Sequence, residues 1–301
     1  YRVFMAIKTS IGMFRIGRMS AGIAGIGLHG YGASPVGADR APMDSEQPFD
    51  RILWYLPVPQ PFLAVIGYNK FFELDSDPAF NVTNEQEQDY DVPQALLLYR
   101  FSTGTANVAY AYYRNRMPAG SKQDWHRIIP ALSIKFGPVF FNAEVDYRTG
   151  KTKTTGAADV DHTGLGVYLD VGYKYGPGEI GALYAWFKGD DGSDATSDED
   201  FTTSGVDYYP LVLFQDEGVA IPGLVSPLYG SNNTANFWQL AFWWDHSLTE
   251  DLLLHAAYGY FAVNELNAAQ VKADGSEYDK SIGSEIDIGL RYNIMQNLTY
   301  T

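Results

Sequence analysis

Phe141-Asn142-Ala143-Glu144-Val145-Asp146-Tyr147-Arg148 is the stretch on which the fold turns. Side chains alternate across an extended strand. Phe141, Ala143, Val145 and Tyr147 therefore share one face, and Asn142, Glu144, Asp146 and Arg148 share the other. The same period of two runs through Ile282 to Ile294, where Ile286, Ile288, Leu290, Tyr292 and Ile294 oppose Glu285, Asp287, Gly289, Arg291 and Asn293. From Leu165 to Tyr175, Leu165, Val167, Leu169, Val171 and Tyr173 alternate with Gly164, Gly166, Tyr168, Asp170 and Lys174. Arg127 to Phe136 sets Ile128, Leu132, Ile134 and Phe136 against Arg127, Ser133 and Lys135. Each segment is about ten residues long, the length a tilted strand needs to cross a bilayer.

A soluble sandwich also alternates, so the connections decide between the two. Tight turns fall near Thr9-Ser10, Pro59-Gln60-Pro61, Thr103-Gly104, Gly137-Pro138, Pro177-Gly178, Thr249-Glu250 and Gln296-Asn297. Between them lie longer polar stretches: Ser20 to Phe49, Asp75 to Asp91, Asn115 to Trp125, Thr149 to His162, Gly189 to Ala235 and Asn264 to Ser281. Short and long connections alternate along the whole chain, as in an up-and-down barrel with short periplasmic turns and long external loops. Tyr112, Tyr147, Tyr173, Tyr175, Trp244, Tyr258, Tyr260 and Tyr292 sit towards the ends of the apolar faces, where interfacial aromatic girdles belong. In a sandwich the charged faces would form the outside.

The fold expected is thus all-β, a transmembrane antiparallel up-and-down β-barrel in one domain spanning residues 1–301. About 14 strands can be counted. Tyr1 opens within a strand, and Gln296 to Thr301 begins another, so the chain reads as a fragment, truncated at both ends, of a barrel of roughly 16 or 18 strands. A barrel that wide encloses an aqueous lumen. Secretion is inferred from the body of the chain, since Tyr1-Arg2-Val3-Phe4 reads as strand rather than leader.

Composition narrows the function classes. The absence of Cys removes disulfides, thiol nucleophiles and zinc-thiolate sites. A formal charge of −15 opposes nucleic-acid binding, which needs a basic footprint. Mean hydropathy is −0.19 and no stretch approaches a membrane helix, which a barrel does not require because only alternate residues meet lipid.

The segment Ile11-Gly12-Met13-Phe14-Arg15-Ile16-Gly17-Arg18-Met19, a Gly-Arg strand end entering a long loop, resembles Gram-negative general porins. The hairpins Trp244 to Leu252 and Leu290 to Thr299 resemble porin periplasmic turns, and the whole chain looks most like the homotrimeric porins of sulfate-reducing bacteria. That resemblance implies residence in the bacterial outer membrane among lipid and lipopolysaccharide, a homotrimer, and diffusion of small hydrophilic solutes and inorganic ions. The C-terminal aromatic usual in such barrels is missing, which truncation explains.

A porin's chemistry is its radius and the field along its wall. Parity places Arg2, Lys8, Arg15, Arg100, Arg127, Lys135, Arg148, Lys174 and Arg291 towards the lumen, with Glu144, Asp146, Asp170, Asp245, Glu285 and Asp287 as their acidic counterparts. A bulge at Gly17 would exchange Arg15 and Arg18. The wall is mildly basic although the protein is acidic, because the acid collects in loops such as Asp190-Asp191-Gly192-Ser193-Asp194. Either the wall favours anions, or its charges pair across strands and leave a weakly selective pore. The constriction is expected from residues 20–49, whose Asp39, Arg40, Asp44 and Glu46 would oppose wall arginines and set up a transverse field. Its rival is the apolar stretch Phe201 to Asn236, overlapping the long extracellular connection 189–235, which folds into the mouth or clasps a neighbouring subunit.

No cofactor is expected. The Gly189 to Asp194 run invites calcium, but it lacks EF-hand spacing, and weak binding in acidic loops is the most it supports. The five His stand at no metal-ligand spacing. A barrel hydrolase would need Ser and His within reach of each other, and His246 with Ser247, the one adjacent pair, points to opposite faces. The main alternative is a substrate-specific channel for an oxyanion or for polysaccharide export. It would carry a ladder of like charges, whereas these faces mix signs. A structural, adhesin-like barrel would not need so wide a polar lumen.

Overall fold

The structure, a computed structural model, describes residues 3–20, 48–72, 89–116, 120–190, 192–199, 236–266, 279–295 and 298–300. They form one sheet of strands β1 (Val3–Thr9), β2 (Gly12–Ser20), β3 (Pro48–Tyr55), β4 (Phe62–Phe72), β5 (Tyr90–Phe101), β6 (Gly104–Asn115), β7 (Ser121–Phe136), β8 (Val139–Thr154), β9 (Val160–Tyr175), β10 (Gly178–Phe187), β11 (Ser197–Asp198), β12 (Phe237–Ser247), β13 (Leu252–Val263), β14 (Ser281–Met295) and β15 (Leu298–Tyr300). Every strand but β11 pairs antiparallel with its neighbour in sequence order, which is the up-and-down plan. Residue pair β11 instead runs parallel to β9, at Asp161 and His162, in the space left above the end of β10.

Apart from Gln296-Asn297, which lies outside the described residues, the turns fall within a residue of their expected places because the local chemistry specifies them. Between β7 and β8, Gly137 adopts φ +57°, a conformation only glycine takes freely, and Pro138 follows. The external connections are shorter than the sequence reading in two places. β6 runs to Asn115 and β7 starts at Ser121, while β8 continues to Thr154 and β9 starts at Val160. Polar, Thr- and Lys-rich stretches that look like loops are thus ladder: Asp124 pairs with Lys151 and Thr152 with Val160. A strand leaving the membrane no longer needs an apolar face, so alternation fades while pairing persists.

The ends of the strands step against the ladder. Phe101 pairs with Gly104 and Gly104 with Ile134, two residues before the end of β7. Phe136 pairs with Val139 and Val139 with Tyr173, two residues before the end of β9. One residue per strand, about 3.4 Å of rise for about 4.8 Å of width, is a tilt of about 35°, the value at which barrel walls close.

The apolar face is exposed, with Ile286 at 73% and Ile288 at 77%, and the face bearing Asp146 and Asp170 is buried. A sheet that exposes its aliphatic side and hides its carboxylates has lipid outside and its polar groups within. Aromatic rings bracket the outer band. On the loop side Tyr112 stacks on His126 at 4.9 Å and Trp238 packs on Tyr260 at 5.4 Å. On the turn side Tyr175 and Trp244 both stack on His246, and Tyr175 Oη lies 3.0 Å from His246 Nδ1. His126 and Phe136 are ten positions apart on β7, which is about 33 Å along the strand or about 27 Å of height at that tilt, close to the apolar band of outer-membrane barrels.

Candidate functional site: the inner wall

Register settles which side chains face inward. Arg127 lies opposite Arg148, Ala131 opposite Glu144, and Ser133 opposite Asn142, which in turn faces Asp170. The pairing of β1 with β2 and of β2 with β3 passes through Gly17 without a shift, so Arg15 stays inward and Arg18 outward. Lys8, Arg15, Arg100, Arg127, Glu144, Asp146, Arg148, Asp170, Lys174, Asp245, Glu285, Asp287, Arg291 and Lys135 all fall on the inner face. Arg2 and the loop residues Asp39, Arg40, Asp44 and Glu46 lie outside the described residues, as do all of 201–235 and most of the expected constriction loop.

Three inward charges escaped the sequence reading. Asp198, on the two-residue strand β11, pairs in register with inward His162, whose Nδ1 lies 3.1 Å from its carboxylate. Arg51, on the short strand β3, bonds through Nε to Asn69 Oδ1 at 2.8 Å, and Gln94 Nε2 donates to the same oxygen at 2.9 Å. Glu179 stands beside the Pro177-Gly178 turn and pairs with Lys174 at 3.1 Å. Arg51 stands just past the expected 20–49 loop, Glu179 opens a strand apolar on both faces, and Asp198 lies in a two-residue strand inside the expected 189–235 connection.

The inward charges are sorted around the wall. From β1 to β7 they are Lys8, Arg15, Arg51, Arg100, Arg127 and Lys135, with no inward carboxylate among the described residues. From β8 to β14 carboxylates dominate: Glu144, Asp146, Asp170, Glu179, Asp198, Asp245, Glu285 and Asp287, accompanied by Arg148, Lys174 and Arg291.

Deep in the wall these groups are tied down. Arg127 donates through Nε to both Asp146 oxygens at 2.8 and 2.6 Å and through Nη2 to one of them, with both side chains buried. Arg15 lies over the rings of Tyr55 and Phe4, at 5.0 and 5.8 Å. Ser133 Oγ donates to Asn142, whose Nδ2 donates to Asp170 Oδ2 at 3.0 Å, a relay across three strands. His255 Nδ1 is 2.8 Å from Asp245.

Much of the inner face is also apolar, which the sequence reading missed. Phe140, Tyr168, Leu183, Ala185, Phe187, Phe237, Trp243 and Phe261 form one buried cluster on β8–β13, and Met19, Leu53, Val65, Leu96, Ala109 and Ile129 form another on β2–β7. The signal was present in strands apolar on both faces, such as Leu183-Tyr184-Ala185-Trp186-Phe187, which reads as a segment covered on both sides. At mid-height the wall is therefore shielded from solvent, while inward cations at the turn end stay exposed.

Along the described strands, charge on the outer face gathers at the loop-side rim, and much of it is paired there. Tyr68 donates to Asp91, which faces Arg114 at 3.7 Å; Arg116 Nη2 donates to both Asp124 oxygens at 2.7 and 3.0 Å; Lys151 meets Asp161 at 3.1 Å. In the acidic external run, Asp190 caps the Gly192 amide. Asp194 accepts from Thr196 N and Oγ1, bonds that hold its carboxyl below the usual carboxylate range. No group of three or more metal-ligating side chains occurs among the described residues. His246 and Ser247 take opposite faces, and His246 belongs to the outward aromatic cluster.

The chain matches no protein-family model and no curated protein sequence. Among solved structures it superposes on the anion-selective porin of Comamonas acidovorans with a TM-score of 0.51 at 14% identity, over 97% of this chain and 77% of that one. OmpT of Vibrio cholerae gives 0.46 at 12%, over 97% and 80%. OccK8 (OprE) of Pseudomonas aeruginosa gives 0.47 at 14%, over 97% and 71%. The first of these likenesses shows the fold, that of an outer-membrane β-barrel.

Proposed function

We propose that this chain is an outer-membrane porin, passing small hydrophilic solutes and ions by diffusion and catalysing no reaction. The observation that carries the reading is the division of one sheet into a lipid-compatible outside and an inside bearing charges on most of its strands. Such charges enclosed in a bilayer are stable only beside water or one another. The segregated wall charges support a field across the passage, and the excess of inward cations supports preference for anions, the property named for the Comamonas porin. Packing at mid-height makes the path narrower than strand number alone would set.

A homotrimer, and kinship with the porins of sulfate-reducing bacteria, rest on the motifs at Ile11 to Met19 and Trp244 to Leu252. Contact with lipid and lipopolysaccharide is supported by the aromatic girdles and the rim of paired charges. A constriction loop in 20–49 and weak calcium binding remain parts of the same proposal. The shielded waist favours a second reading, a substrate-specific channel. Conductance that saturates at low concentration of one solute class would distinguish it.

The deciding experiment is the zero-current potential of single channels in planar bilayers under a salt gradient. An anion-favouring potential that weakens in Arg100→Gln and Lys135→Gln supports the basic wall. A cation-favouring potential assigns control of entry to the carboxylates, and absence of conductance would sink the porin reading.

A further inference from the structure

Lys8, Arg100, Lys135 and Lys174 occupy equivalent places. Each is the penultimate residue of a strand that runs down to a short turn: β1 ends at Thr9, β5 at Phe101, β7 at Phe136 and β9 at Tyr175. Each faces inward and each is exposed, unlike Arg51 and Arg127 higher in the wall. Lys8, Arg100 and Lys135 have no side-chain partner among the described residues, and Lys174 has Glu179 alone.

Their heights agree as well. Arg100 pairs with Thr105 and Thr105 with Ser133, two residues above Lys135. Lys135 pairs with Phe140 and Phe140 with Gly172, two residues above Lys174. From Lys8 the ladder passes Met13, Tyr55 and Val65 to Leu96, four residues above Arg100 after four strands. One residue per strand is the tilt of the wall itself, so the four cations stand level. Arg100, Lys135 and Lys174 are two strands apart, about 10 Å, a gap that two flexible cationic side chains can close around one anion.

We infer that these four residues form a cationic collar at the turn-side mouth that binds compact multivalent anions of the phosphate type. The inference rests on the pore reading and adds a place and a polarity to it: anions are collected on the periplasmic side, where the collar is exposed, and the deeper arginines are held by their own partners. The carboxylates nearest this level are Glu179, already paired with Lys174; Asp245, the register partner of Glu179, which lies 2.8 Å from His255; and Glu250 and Asp251 in the turn between β12 and β13, all on the far arc from Lys8 and Arg100.

The test uses single channels in a planar bilayer, with inorganic tripolyphosphate added to one side at a time. Because the chain has no Cys, Ser102→Cys in an exposed short turn marks the turn side through reaction with a membrane-impermeant charged maleimide. Block from the turn side is expected at a concentration at least tenfold lower than from the loop side. Lys8→Gln, Arg100→Gln, Lys135→Gln and Lys174→Gln together should bring the two sides together. If that quadruple variant fails to insert, the pairs Arg100→Gln/Lys135→Gln and Lys8→Gln/Lys174→Gln should each reduce the asymmetry. Equal block from both sides, or asymmetry that survives neutralisation, overturns the collar and leaves the pore intact. A wild-type protein without conductance overturns the pore.

Discussion

Asp146→Asn tests whether the wall charges form a supporting lattice. Asp146 and Arg127 are both buried, and the guanidinium makes its contacts at 2.6 and 2.8 Å through Nε. At a charge separation of about 4 Å and an effective dielectric of about 20, the attraction is worth about 4 kcal/mol. The amide removes that attraction and leaves Arg127 opposite Arg148, its register partner on the adjacent strand. Removing one member of a buried pair typically costs about 3–5 kcal/mol, the same range. The assay is urea unfolding of barrels reconstituted in phospholipid vesicles, followed by tryptophan fluorescence. With m of about 2.5 kcal/mol/M the midpoint should fall by about 1.5 M. The double variant Arg127→Met/Asp146→Leu removes both charges and should recover to within about 1 kcal/mol of wild type, because a packed apolar pair replaces the ion pair without its desolvation cost. A single variant as stable as wild type would refute the reasoning, and so would a double variant as weak as the single one.

Three further outcomes are expected in the same assay. Gly172→Val places a Cβ 2.2 Å from Phe140 Cζ, a ring that is itself buried, so overpacking should cost about 1–3 kcal/mol and Phe140→Ala in the same chain should relieve part of it. Phe187→Ala empties a fully buried inward site and should cost about 3–5 kcal/mol; a change under 1 kcal/mol would mean that water reaches that arc of the wall. Trp244→Ala removes the indole donor to Tyr175 and one ring of the turn-side girdle, for a loss of about 1–2 kcal/mol, and Trp244→Phe should lose less because it keeps the ring.

What the sequence showed of this barrel, and what it hid, follow from the same rule. Alternation is a solvent signal. It is sharp where one face meets lipid and the other meets charge, so Phe141 to Arg148 and Ile286 to Ile294 disclose strand, face and inward residues at once. It fails when both faces meet the same medium. Above the bilayer both meet water, so the upper parts of β7 and β8 look like loop although their ladder continues from Asp124 opposite Lys151. Inside β10, β12 and β13 both faces are apolar, lipid on one side and packed protein on the other, so Leu183, Phe187, Trp243 and Phe261 could not be told from lipid-facing residues by parity of hydropathy alone. Charge suffers the opposite loss. Parity places a cation on the inner face but does not show whether it is spent. Arg127 and Lys135 share a strand and a face, yet one is clamped by Asp146 while the other is exposed at the mouth without a partner among the described residues. Register supplies the missing term, because it converts position along a strand into height in a tilted wall. Only then do Lys8, Arg100, Lys135 and Lys174, scattered through the chain, stand at one level, and the proposed preference for anions rests on the cations that remain exposed more than on the number the wall contains.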